Sequence, residues 1–122
     1  MKKNNSILIA ALIGAVFISG CKHDPNLENI KEITFSGDAQ RIIVNSCAMS
    51  GCHSGEGRLA AFSTYDDIIQ NGGIIAGDPR ASKLYRVMTH RALPVMPPLP
   101  ATVSNDDITK VYLWILQGAK NN

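Results

Sequence analysis

The chain has 122 residues, with 12 Lys and Arg against 10 Asp and Glu and a formal net charge of +2. That length makes a single small domain, whose thin core needs a disulfide, a metal or a cofactor to help hold it. No basic stripe with interleaved aromatics runs through it, which argues against nucleic acid as a partner.

The N-terminal stretch reads as a targeting segment rather than part of a fold. Lys2 and Lys3 precede an apolar run, Ile7 to Ile18, that is too short to span a bilayer as a mature helix. The run closes on Ile18-Ser19-Gly20-Cys21, with small residues ahead of a cysteine. This ending resembles the lipobox of bacterial lipoproteins. The resemblance implies that residues 1–20 are removed and that Cys21 is lipidated, so that acyl chains hold the protein on a membrane. An ordinary signal peptide followed by an incidental cysteine is the competing reading. In both cases the chain is exported to a compartment that permits disulfides. Loss of Lys2 and Lys3 leaves ten Lys and Arg against ten Asp and Glu. Lys22 after the cysteine is no inner-membrane retention signal, which points to the outer membrane, facing the periplasm. Lys22 to Thr34 is polar, contains Pro25 and has no apolar period. Residues 21–34 are therefore expected to form a lipidated tether, and 35–122 the folded domain.

A first helix is predicted from Asp38 to about Ser46, capped by Ser36 or Asp38, with Ala39, Ile42, Ile43 and Ser46 on one face. It delivers the stretch Cys47-Ala48-Met49-Ser50-Gly51-Cys52-His53, in which a histidine directly follows the second of two nearby cysteines. A c-type haem site needs this order: two thiols to add across the vinyl groups and an imidazole to ligate iron. The usual spacing is C-x-x-C-H, and here the cysteines are separated by four residues. Ala48, Ser50 and Gly51 are small enough to let the longer loop bulge, and Gly51 can take a positive φ. A disulfide between Cys47 and Cys52, or a zinc site drawing on His23 and His90, would use the same residues.

Gly55-Glu56-Gly57 forces an irregular loop, after which Leu59 and Phe62 are candidates to lie against a haem or in ordinary core. A short helix follows from about Thr64 to Gln70, with Thr64 and Asp67 in capping-box spacing and Gly72-Gly73 ending it. Asp78-Pro79 is expected to open the next helix as N-cap and first residue, with Leu84, Tyr85, Val87 and Met88 inside and a stop near His90. Pro94-Val95-Met96-Pro97-Pro98-Leu99-Pro100 is incompatible with a helix or a central strand. A stiff loop of this kind suits the presentation of a thioether to iron at a fixed position; Met96 as a buried loop anchor is the plainer reading. The final helix starts at Ser104, again with Asp107 in capping-box spacing. Ile108, Val111, Tyr112 and Ile115 form its stripe, Leu113, Trp114 and Leu116 broaden it, and Gly118 ends it. No alternating strand of useful length is present, so the expected fold class is all-α, with the first and last helices packing Ile42 or Ile43 against the Val111–Ile115 face.

In order and spacing, these parts resemble the monohaem cytochrome c domain, in the lipid-anchored bacterial form with an expanded C-x4-C-H site. The resemblance covers Phe35 to Ala119. It rests on Phe35-Ser36-Gly37-Asp38, Gly77-Asp78-Pro79 with Ser82-Lys83-Leu84-Tyr85, Val95-Met96-Pro97-Pro98 and Trp114-Ile115-Leu116-Gln117-Gly118-Ala119, besides the Cys-His motif. It implies about four short helices around one haem c, with thioether bonds from Cys47 and Cys52, His53 as proximal ligand and Met96 as distal ligand. It also implies single-electron transfer to redox partner proteins of the cell envelope and no enzymatic activity, since both axial positions are filled. Met88 and His90 are rival distal ligands. Met88 falls on the Leu84 stripe, His90 lies at a helix end beside Arg91, and Met49 is inside the attachment loop. Two other functions use the same chain: a non-haem structural or binding lipoprotein with a Cys47–Cys52 disulfide, and a peroxidase-like or ligand-sensing haem protein in which Met96 is labile.

Overall fold

The computed structural model describes residues 28–122; the leader, Cys21 and His23 lie outside them. Four α-helices carry the described chain: α1 (Gln40–Cys47), α2 (Tyr65–Asn71), α3 (Lys83–Met88) and α4 (Asn105–Leu116). A single π turn, Phe35–Ala39, leads into α1. Among the described residues there is no strand, and the domain is a small all-helical one. None of these helices is long and apolar enough to cross a membrane.

The entry to α1 differs from expectation. The cap is Thr34 rather than Ser36 or Asp38, and its hydroxyl accepts from the Gly37 N–H at 3.2 Å. Ser36 is committed elsewhere, since its hydroxyl and its N–H both donate to the Asn122 carbonyl, each at 2.9 Å. From there the apolar positions fall as predicted: Ala39, Ile42 and Ile43 are buried, joined by Cys47.

The folded domain also reaches back beyond the expected start at residue 35. Ile33 is buried, and its N–H donates to the Gln117 side-chain carbonyl at 2.8 Å, while the Gln117 amide donates to the Lys31 carbonyl at 3.1 Å. An exposed Lys120–Glu32 ion pair at 3.3 Å adds little next to these bonds. Lys31 to Thr34 has Ile33 as its one apolar residue and carries no periodic signal, so this strap cannot be read from its own sequence.

The central element of the core is α4. Ser104 caps it, accepting from Asp107 N–H at 3.1 Å, and Val111, Trp114 and Ile115 are fully buried. Trp114 lies 5.6 Å from the Phe35 ring, and Phe35 meets Tyr65 edge-on at 5.1 Å. The first helical segment therefore packs on α4 through its π turn, with Ile42 and Ile43 in the same core as Val111 and Ile115. The helix stops in a Schellman motif: Ala119 N–H bonds Trp114 O at 2.9 Å, Gly118 N–H bonds Ile115 O at 3.1 Å, and Gly118 takes a φ of 104°.

Helix α2 is capped as its sequence predicts, with Thr64 and Asp67 exchanging side-chain-to-backbone bonds at 3.0 and 3.2 Å. Helix α3 starts later than expected, at Lys83 behind Ser82. Asp78 instead closes a turn, its carboxylate accepting from the Ala81 N–H at 3.1 Å. A helix running from Asp78 would commit the N–H groups of Lys83 and Leu84 to carbonyls four residues back. They donate to Gly73 and Gly72 instead, at 3.1 and 2.8 Å. Ser82, fully buried, satisfies its hydroxyl on Ile75 and Asp78, at 2.9 Å to each.

Candidate functional site

The end of α1, the loop after it, the α2–α3 corner and the proline-rich loop together enclose a cavity of about 510 Å³. Cys47, Cys52, His53 and Met96 all line it. Its other walls are largely apolar, among them Leu59, Phe62, Leu84, Val87 and Pro97. The volume falls within the range of roughly 300–1,000 Å³ typical of cofactor sites.

The four residues between the cysteines are absorbed by one turn. Cys52 N–H donates to Met49 O at 2.9 Å, with Gly51 at a φ of 78°, where a side chain would be strained. His53 N–H then donates to Cys47 O at 3.0 Å, which returns the chain to the end of α1. Both thiols are unpaired. Cys47 is buried, and burial, with a smaller contribution from Cys52, pushes its thiol up to about 11.

The imidazole of His53 is oriented from behind. Its Nδ1 lies 2.6 Å from the Ala60 carbonyl. A carbonyl only accepts, so Nδ1 is the donor, and in the neutral ring Nε2 keeps its lone pair. This partner arrangement is the one that fixes a ligating histidine. The loop is closed by Phe62 N–H donating to His53 O at 3.0 Å, and the Phe62 ring lies 4.6 Å from the imidazole. On the far side, the Asn71 amide holds the Ala61 carbonyl at 2.8 Å.

Met96 is half-buried, and its N–H donates to Val87 O at 3.2 Å, tying the proline-rich loop to α3. Pro97 behind it is buried. Met88 belongs to the core, 4 % exposed, and does not line this cavity. His90 is exposed at a φ of 59° and, with Met88, lines a separate open depression of about 590 Å³ beside the start of α4. Met49 and Leu59 line the main cavity but stand about half exposed, at 49 % and 50 %, so they edge its mouth. Phe62 is buried against it.

Among the described residues, no three His, Cys, Asp or Glu side chains are grouped to hold a metal ion. The donor set therefore suits a group that brings most of its own ligands. An apolar slot with one free imidazole nitrogen, one thioether and two unpaired thiols fits haem. Sequence reasoning passed over three features of this site: the Ala60 carbonyl, Asn71 and Lys83. Asn71 falls between the expected helix end at Gln70 and Gly72-Gly73, where no local pattern marks its side chain as a cavity wall. In comparisons with protein-family models, curated proteins and solved structures, nothing matches this chain.

Proposed function

We propose that this protein is a membrane-anchored monohaem cytochrome c-like electron carrier. The observation that supports it best is the convergence of Cys47, Cys52, His53 and Met96 on one apolar cavity, with His53 Nε2 left free. On this reading Cys47 and Cys52 would hold haem c through thioether bonds, and His53 and Met96 would ligate its iron. Haem bound there supplies a one-electron ferric–ferrous couple, and a thioether ligand favours the ferrous form. The protein's share of the work is positional. The Ala60 carbonyl fixes the imidazole tautomer, the Val87 carbonyl anchors the backbone of Met96, and the apolar walls keep water from the slot. With both ligands supplied by the chain, the protein carries electrons and turns over no substrate. Lipid on Cys21 would hold it in the cell envelope facing the periplasm, at the outer membrane, where redox partner proteins dock at the cavity mouth edged by Met49 and Leu59.

The test is production in cells with haem-maturation machinery, followed by a denaturing gel and oxidised and reduced spectra. Haem that stays with the denatured chain is expected, and it should be lost in the Cys47→Ser, Cys52→Ser double variant. A colourless protein with a Cys47–Cys52 disulfide would refute the proposal. Cyanide or carbon monoxide binding to the resting protein would instead identify Met96 as labile.

A further inference from the structure

Among the described residues, Lys83 is the one Lys or Arg on the wall of a cavity that is otherwise largely apolar, and no carboxylate lines that cavity. The position is built rather than incidental. Lys83 N–H is fixed on Gly73 O at 3.1 Å, and Leu84 N–H on Gly72 O at 2.8 Å. A Cβ at Gly73 would stand 3.1 Å from that of Lys83, so the paired glycines let the start of α3 press against the end of α2. Asn71, the residue before that pair, also lines the cavity, with one amide hydrogen committed to Ala61 O. A polar corner of cation and amide thus interrupts the apolar wall.

Among the described residues Lys83 makes no ion pair with a carboxylate. The other titratable groups on the cavity wall are Cys47, Cys52 and His53, and Arg86 is the other cation of α3. The carboxylates of α2, Asp66 and Asp67, sit in the first turn, at the end opposite Asn71. We infer that Lys83, with Asn71 beside it, forms the carboxylate-binding corner of the cavity and pairs with a propionate of the haem. This rests on the haem reading above. Lys83 is exposed enough to keep its ammonium at the solvent edge, where an ionised propionate also stays hydrated. It acts as a positioning and charge-compensating residue and touches neither axial ligand position.

The experiment is a redox titration against pH on the full, haem-loaded chain, comparing the unmodified protein with Lys83→Met, Lys83→Arg, Lys83→Gln and Lys31→Met. Lys83→Met keeps the aliphatic stem against Gly73 and removes the charge; Lys31 is an exposed lysine on the strap, away from the cavity. Loss of the cation favours the more positive, oxidised state, so the potential of Lys83→Met and Lys83→Gln should fall. The propionate should hold its proton about tenfold more tightly, moving the bend in the potential–pH curve up by about one unit. Lys83→Arg should restore the original curve, and Lys31→Met should not depart from it. Superposable curves for Lys83→Met and the unmodified protein, or an equal shift in Lys31→Met, would overturn the inference while haem retention on the gel left the haem reading standing. An unmodified chain that binds no haem would sink both.

Discussion

Two methionines of similar chemistry occupy different places in this fold, and replacing each separates a core role from a ligand role. Met88 is 4 % exposed within the core, so truncation to Ala should cost about 2–5 kcal/mol, a large part of the roughly 5–15 kcal/mol that holds a small domain. Met88→Leu conserves volume and should cost less than about 1.5 kcal/mol, leaving a folded protein to examine. Met96 is partly buried, so Met96→Ala forfeits most of a methionine's burial, about 1–2 kcal/mol. In haem-free protein that lowers the melting temperature by about 4–8 °C for each kcal/mol lost. In haem-loaded protein the same change should have a different kind of effect. It should remove the long-wavelength thioether-to-iron band, lower the potential and open the iron to cyanide or carbon monoxide. Met88→Leu should do none of these. Absorption spectra, potentiometry and thermal melts of both variants, with and without haem, make the comparison. If Met88→Leu abolished the band and Met96→Ala left it, the ligand assignment would be reversed.

Two further outcomes follow from the thiols. In reduced, haem-free protein near pH 8, iodoacetamide should label Cys52 well before Cys47, whose thiol ionises only as pH approaches about 11. Because folding favours the neutral Cys47 thiol, that contribution to stability is complete below the ordinary thiol range and is lost as pH rises toward 11. Mass spectrometry of labelled peptides checks the order; faster labelling of Cys47 would contradict its burial, and resistance of both to label before reduction would reveal a disulfide. Cys21→Ser should release haem-containing protein from the membrane fraction or leave an unprocessed precursor. Loss of haem with membrane binding intact would show that Cys21 is a structural thiol instead.

The sequence by itself determined what depends on neighbours three or four residues apart. Thr64 with Asp67, Ser104 with Asp107 and the Val111–Ile115 stripe state their helices outright, because a cap or an apolar face is made within one or two turns. The Cys-His order and the proline-bound Met96 likewise singled out four residues as a candidate haem site. Folding alone decided that these four would share one cavity, since α1 and the proline-rich loop are far apart in the chain. It also decided where α3 begins. Asp78-Pro79 has the local form of a helix start, yet the Gly72 and Gly73 carbonyls take the N–H groups that such a helix would need. The strap at Ile33 is closed by a glutamine 84 residues away, and no local pattern encodes a partner at that distance. The tautomer of His53 and the lone cation at Lys83 have the same origin. Each is set by a carbonyl or a wall from another segment, and a side chain's surroundings are a property of the packed chain rather than of its neighbours in sequence.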